Sequence, residues 1–324
     1  MASGMVSIVI PNWNGKRYLR DCLEAIRAQT YRNFEVLLVD NASSDSSIEF
    51  VKTSFPEIRV IALPQNRGFS GAANEGIKRA KGEFVALLNN DAFPEENWLK
   101  AMVEGIQEAP DIGVCASKIL RMTEESRIET AGDGYTRFGV ACKRGWNQMG
   151  HHYGRTEFVF AACAAAALYR KNMLEEIGDF DEDLFFSYED VDLSFRAQLA
   201  NYRCRYVPEA VVYHLGGGTL KGRSPMGRYY GHRNLEFVFF KNMPPSLLVK
   251  YLPLHCAYLF LAFAYQVYQG QGVVFLRAKL DALRKIRTTY QKRIVIQSKR
   301  KVPPNYLEDI LDSRSLFQHV KEVL

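Results

Sequence analysis

The sequence predicts an α/β fold with a mostly parallel central sheet, on three observations. Short apolar runs rich in β-branched residues alternate with amphipathic segments through the first 120 residues. The runs are continuously apolar rather than alternating, so both faces of the sheet are covered by helices. Four successive runs end in Asn or Asp, and in such sheets ligands bind beyond the carboxyl ends of the strands. With 324 residues, 47% of them hydrophobic, the chain can bury one large core or two smaller ones.

The elements follow in order. VSIVIP (6–11), FEVLLVD (34–40), VIAL (60–63), FVALLNND (84–91) and IGVCASKI (112–119) read as strands. KRYLRDCLEAIRAQ (16–29) carries Leu19, Leu23 and Ile26 at helical spacing, and 46–55, 71–80 and 97–109 have the same character. Residues 121–157 are polar and glycine-rich and read as a hairpin or loop over the site. FVFAACAAAALYR (158–170) reads as one strand, and Cys204–Val207 and Val211–His214 as two short ones.

Composition excludes several classes. Six cysteines are scattered with no CxxC pair, which is reduced, cytosolic usage and neither a disulfide framework nor a zinc site. VSIVIP is too short for a secretory leader. No Walker A loop is present. The net charge of +6 is regional, because residues 219–301 hold 16 Lys and Arg against 2 Asp and Glu. Such a block suggests an anionic surface. It is interleaved with aliphatics rather than with a readout motif, so membrane phospholipid is expected and nucleic acid is not.

The strand ends hold the candidate site. Pro11, Asn12 and Asn14 follow the first strand, Asp40 ends the second, Asn66 follows the third, and Asn90 and Asp91 end the fourth. Each alone is ordinary turn chemistry; four on one rim read as a binding edge. Asp40 is either a ligand for a base or ribose or a helix cap. Asp91 suits a divalent cation on a substrate diphosphate. His214, before three glycines, is a second metal ligand or a structural histidine. Arg228, His232 and Arg233 are either phosphate contacts or membrane-surface charge. In FFSYEDVDLSFR (185–196), a helix starts near Glu189 or Asp190, whose acids its N-terminal dipole stabilises by about 0.3–1 kcal/mol each. Arg196 then pairs with Asp192 and leaves Asp190 as a general base at the wall of an apolar pocket.

In this order, VSIVIPNWNG, VLLVDNASSD, NRGFSGAANEGI, LLNNDAF and GDFDEDLFFSYEDVDLSFR resemble inverting glycosyltransferase family 2, with its GT-A, Rossmann-like fold, and most nearly its rhamnosyltransferase-like bacterial members. The resemblance covers about residues 5–240. It implies single-sugar transfer, since no QxxRW motif occurs. By motif, Asp40 corresponds to the base-binding Asp and Asp91 to the last Asp of the metal motif, here Asn89-Asn90-Asp91. Asp190 corresponds to the catalytic base, Glu189 lies beside it, and His214 corresponds to a late metal or diphosphate ligand. Gly71 and Asn74 join Pro11, Asn12, Asn14, Asp40, Asn66, Asn90 and Asp91 as donor contacts. The implied cofactor is a divalent metal, Mg or Mn. The implied partners are a dTDP- or UDP-sugar donor and a glycan or lipid-linked glycan acceptor.

Two regions are expected: 5–218 as the catalytic domain and 219–324 as a basic, apolar helical extension. Residues 251–276 contain no Asp, Glu, Lys or Arg. Pro253, three glutamines and two glycines interrupt them, so an in-plane or re-entrant segment at the cytoplasmic face is expected rather than a span. The competing readings are a helical hairpin at a homodimer interface and a non-catalytic nucleotide-binding scaffold at the membrane.

Overall fold

The computed structural model describes residues 4–216 and 224–318. The expected boundary at 218/219 and two of the glycines after His214 lie outside them. The strands are β1 (Val6–Asn12), β2 (Phe34–Asp40), β3 (Arg59–Ala62), β4 (Phe84–Leu88), β5 (Ala92–Pro94), β6 (Ile112–Arg121), β7 (Glu124–Thr130), β8 (Asp133–Tyr135), β9 (Ala141–Lys143), β10 (Glu157–Val159), β11 (Ala166–Arg170) and β12 (Arg203–His214). The helices are α1 (Lys16–Arg27), α2 (Ser47–Ser54), α3 (Gly68–Arg79), α4 (Trp98–Gln107), α5 (Lys171–Ile177), α6 (Glu189–Leu199), α7 (Pro225–Asn242), α8 (Pro245–Tyr268), α9 (Gly272–Arg284), α10 (Ile286–Ser298) and α11 (Pro304–Ile310).

The main sheet runs β10-β12-β6-β11-β4-β1-β2-β3, with β5 on β12 and β7 on β6. β1 to β4 are mutually parallel where they pair, and β6 and β12 are parallel to each other. β11 is antiparallel to both β4 and β6, so it joins two parallel blocks that point the same way. Asn12, Asp40, the residues after Leu88, Arg121 and His214 therefore reach one edge of the sheet. Successive residues of each strand enter opposite layers. Ile8 and Ile10 pack with Leu19, Leu23, Val51, Trp98 and Met102 from α1, α2 and α4. Val9 packs with Ala73, Ile77, Met173 and Leu193 from α3, α5 and α6.

Two expectations change. The stretch 158–170 is not one strand: β10 lies at the sheet edge, and the chain crosses through Phe160 and the small residues Ala161–Ala165 to reach β11 in the middle. Residues 204–214 are one strand, with a register shift between Val207 and Val211. Pro208 falls in the shift, where its missing N–H breaks no ladder bond.

The C-terminal helices share a core with the sheet domain. Phe237, Val238, Met243, Leu247 and Tyr251 of α7 and α8 pack with Tyr135, Phe160, Leu184, Val191 and Phe195. Ser224 caps α7 by accepting from Gly227 N at 3.1 Å, with Pro225 as its first residue. Under this core lies a buried charge cluster. The Lys241 ammonium contacts Asp181 at 2.6 Å and Asp192 at 2.8 Å. Arg196 donates to Asp192 at 3.0 Å, the pairing expected from their spacing. Lys292 and Lys285 close on Asp181 and Asp183. Part of the basic block at 219–301 is thus internal counter-charge. Truncating one partner of a buried pair strands the other charge. We expect Lys241→Met to lower the unfolding free energy by about 3–5 kcal/mol, measured by denaturant titration.

Candidate active site

A cleft of about 960 Å³ opens at the carboxyl edge of the sheet. Its volume suits a large polar ligand. One wall is a polar network. Asn12 donates to Asp40 at 2.9 Å and accepts from Asn90 at 2.7 Å. Asp40 also accepts from Ser43 N at 2.9 Å. Asn41 donates to Asn66 at 2.8 Å and accepts from Arg67 N at 2.8 Å, and Asn66 accepts from Gly68 N at 2.8 Å. The bonds set each amide's orientation before any ligand arrives.

The middle of the cleft holds Asp91 and His214. β4 and β12 bring them together: Asp91 Oδ1 lies 3.1 Å from His214 Nε2, and Glu129 Oε2 lies 2.8 Å from His214 Nδ1. Burial alone would lower the histidine pKa, but the two carboxylates outweigh it and raise it to about 9. Two donors about 3 Å apart can share one octahedral cation, whose ligands lie at about 2.0–2.1 Å. A carboxylate on the remote nitrogen is what orients a metal-binding histidine. The donor set therefore fits a divalent cation. A second grouping, Asp133, Cys163 and Asp190, has its ligand atoms within 4.8 Å of one another. Its thiol matches hard oxygen-seeking cations poorly, and burial followed by the neighbouring carboxylates holds that thiol well above its ordinary pKa.

The third element is the loop before α6. Phe185, Ser187 and Tyr188 all have positive φ, at 66°, 70° and 72°. Such conformations in non-glycine residues cost on the order of 1–3 kcal/mol each and persist only where the surroundings over-determine them. Arg233 donates to the carbonyls of Asp183 and Leu184, and Asn234 to those of Leu184, Phe186 and Ser187. Phe185 stacks on Tyr230 with centroids 5.2 Å apart. Gly68, at φ 71°, touches the same loop, and a Cβ there would lie 2.3 Å from the Phe185 carbonyl oxygen. Only glycine fits, since both the space and the backbone angle exclude a side chain.

This loop starts α6 at Glu189, as expected. Asp190 accepts from Ala164 N at 3.1 Å and Val191 N at 2.8 Å. Burial raises its pKa against those bonds. Burial and then Asp190 push Glu189 up to about 8, and its Oε2 has no hydrogen-bond partner among the described residues. Burial and then Asp190 push Asp133 up to about 7, and Thr130 donates to it at 2.5 Å. The cleft thus holds a fixed carboxylate of raised basicity beside small residues, Cys163, Ala164 and Ala165.

Of the expected residues, Pro11, Asn12, Asn66, Asn90, Asp91, Glu189, Asp190 and His214 line the cleft. The others do not, among the described residues. Asp40 is fully buried behind Asn12. Asn14 lies on an exposed turn and accepts from Ser44 N. Gly71 faces Arg67 within α3. Asn74 bonds the backbone of Phe180 at both ends of its amide. Arg228 donates to Gln266. Burial followed by Lys279 lowers the His232 pKa to about 4, and its ring packs on Phe275. Arg233 instead clamps the start of the loop, donating to the carbonyls of Asp183 and Leu184 just before the positive-φ residues. Sequence reasoning missed Glu129, Asp133 and Lys143. They sit in the glycine-rich stretch 121–157, and only the fold of β7 to β9 turns them inward.

Residues 7–178 match the family model described as Glycosyl transferase family 2. The chain belongs to glycosyl transferase family 2. Family 2 relatives include the poly-beta-1,6-N-acetyl-D-glucosamine synthase of Staphylococcus epidermidis, 24% identical over 67% of this chain and 51% of the synthase. The glycosyltransferase GlyG of Streptococcus pneumoniae is 35% identical over 33% of this chain and 36% of its own length. The chain thus spans about half or less of these two relatives. Among solved structures, S. aureus TarS 1-349 superposes with a TM-score of 0.56 at 19% identity, covering 91% of this chain and 90% of that one. The mannosyltransferase of Pyrobaculum calidifontis, in complex with GDP-Man and Mn2+, gives 0.52 at 17%, covering 91% and 86%. These likenesses show a shared GT-A fold.

Burial raises both Asp190 and Asp133, and the charge of Asp190 raises Asp133 further. A general base works deprotonated, so its activity falls as pH drops through its pKa. Asp133, pushed up to about 7 with Asp190 already ionised, stays protonated while Asp190 titrates, so we expect Asp133→Asn to leave the acid limb of kcat/KM in place, read from a pH–rate profile.

Proposed function

We propose that this family 2 protein transfers one sugar from a nucleotide diphosphate donor, a dTDP- or UDP-sugar such as dTDP-rhamnose, to a hydroxyl of a glycan acceptor. The observation that carries the reading is a single cleft in which backbone-held Asp190 faces the same space as the Asp91–His214 pair. Asp190 takes the proton of an acceptor hydroxyl. That oxygen bonds to the anomeric carbon while the bond from this carbon to the diphosphate oxygen breaks, and the electron pair leaves with the nucleoside diphosphate. Attack opposite the leaving group inverts the configuration. Asp91 and His214 would hold Mg2+ or Mn2+, which when bound offsets the charge of the leaving diphosphate. The Asn12, Asn41 and Asn66 wall holds the nucleoside.

The C-terminal helices support work at the cytoplasmic face of a membrane. α8 is long and apolar enough to cross one by length and composition, with a mean hydropathy of 1.6 in its most apolar stretch. Leu247, Tyr251, His255 and Gln266 on one side of it are buried, and most of the rest is open. His255 Nδ1 lies 2.9 Å from the Phe138 carbonyl oxygen. Its outer residues Val249, Phe260 and Leu261 are exposed, as are Val273, Leu276, Leu280 and Leu283 on α9. Arg277 and Arg284 beside them are 78% and 75% exposed. Apolar side chains flanked by cations suit an anionic lipid surface, where a lipid-linked acceptor would be met.

Thermal stabilisation tests the donor site. We expect UDP or dTDP with Mn2+ to raise Tm, and Asp91→Asn to abolish the metal-dependent part. No response to UDP, dTDP or GDP with either metal overturns the reading. Asp190→Asn should keep the nucleotide shift and lose turnover by 10²-fold or more. A protein that binds nucleotide but never turns over is the membrane scaffold instead. In flotation with phosphatidylglycerol vesicles, we expect wild type to rise with the lipid and Phe260→Asp/Leu261→Asp to stay below. A wild type that ignores vesicles and sediments as a dimer assigns the apolar face to a second copy.

A further inference from the structure

Resting on the transferase reading, we infer that Trp146 is the stacking platform of an acceptor subsite that takes a neutral pyranose ring. Trp146 lines the cleft, yet 54% of its surface is exposed. A large apolar ring left this open is usually covered by a partner or ligand.

The surrounding chain is built to hold it there. Trp146 sits between Gly145 at φ 79° and Asn147 at φ 62°. Its turn is tied on several sides. Asn147 N donates to Ile128 O at 2.9 Å and Ile128 N to Gln148 O at 2.8 Å. Arg121 and Arg127 donate to the Asn147 side chain and carbonyl at 2.8 and 2.7 Å. A strained turn fixed this firmly presents one residue, the indole. Cations also steady the ring: Arg121 lies 5.5 Å and Lys143 5.3 Å from its centroid.

The polar rim selects the ligand class. Arg121 pairs with Glu124 at 3.0 Å, and Lys143 with Glu129 at 2.5 Å. Each cation already holds a carboxylate, Glu124 being shared with Arg127 and Glu129 with His214, so the rim offers donors and acceptors side by side. A hydroxyl is both donor and acceptor and matches such a rim; a phosphate, which only accepts, does not. A pyranose has an apolar C–H face for the indole and hydroxyls around its edge. The position fits an acceptor rather than the donor. Trp146 rises from the β7–β9 side of the cleft, where Lys143 leads toward Asp133 and Asp190, whereas the asparagine wall is at the β1–β3 end.

The test is saturation-transfer NMR on the full chain with three probes, the methyl glycosides of glucose, rhamnose and N-acetylglucosamine, at millimolar concentration. Nucleotide stabilisation by UDP or dTDP with Mn2+ is recorded on the same samples. Wild type is expected to saturate the C–H protons of one ring face of at least one glycoside. Trp146→Ala should lose that signal at least five-fold and Trp146→Phe should keep a measurable part, with the nucleotide shift unchanged in both. A Trp146→Ala signal equal to wild type overturns the subsite, as does a wild type that binds nucleotide and no glycoside. Loss of the nucleotide shift in Trp146→Ala, with its unliganded Tm intact, assigns the ring to the donor and also overturns it. A wild type that binds neither probe class overturns the transferase reading along with it.

Discussion

The site depends on a lysine buried beneath it. Lys241, 1% exposed, bridges Asp181 and Asp192, and Arg196 completes the charge balance of Asp192. An isolated ammonium or carboxylate in this position would be prohibitively costly, so none of these groups can be present without the others. Asp181 lies in the segment leading to the strained loop, and Asp192 lies one turn inside the helix that carries Asp190. Lys241 comes from α7, beyond the sheet. One charge cluster therefore welds the C-terminal helices to the base of the cleft.

The family match and this folding unit differ in extent. The match ends at residue 178, before the loop, α6, β12 and the C-terminal helices α7 to α11. The matched segment supplies the asparagine wall and Asp91. Asp190, the clamp on its loop and His214 all lie downstream. The features of the asparagine wall are local to strand ends and so remain recognisable in short motifs. The supporting features are long-range contacts between residues 50 to 60 positions apart, such as Asn242 with Asp192, and leave no compact motif.

The same distinction sets what could be read from the chain. The parallel strands were legible because their buried runs are continuous, and the start of α6 because Val191, Phe195 and Leu199 keep helical spacing. The Arg196–Asp192 pair followed from a separation of four. Strand direction was not legible: β11 looks like any apolar run, and only its short approach through Phe160–Ala165 makes it antiparallel. Glu129 and Lys143 were hidden because polar residues in a glycine-rich stretch look solvated until a strand turns them inward. Arg228, His232 and Arg233 read as either phosphate contacts or membrane-surface charge, because motif chemistry cannot separate a cation that meets a ligand or lipid from one that satisfies an internal acceptor, as Arg228 does at Gln266 and Arg233 at two carbonyls.

The contact between Gly68 and the Phe185 carbonyl links two distant positions of the chain. The turn after β3 and the loop before α6 meet where the carbonyl and ring of Phe185 both press on the Gly68 backbone. Heritable change at this contact is therefore constrained in pairs. A residue larger than glycine at 68 requires the carbonyl at 185 to retreat, and that movement would tilt the first turn of α6. Among descendants of this fold, the two loops are expected to drift together or to stay as they are.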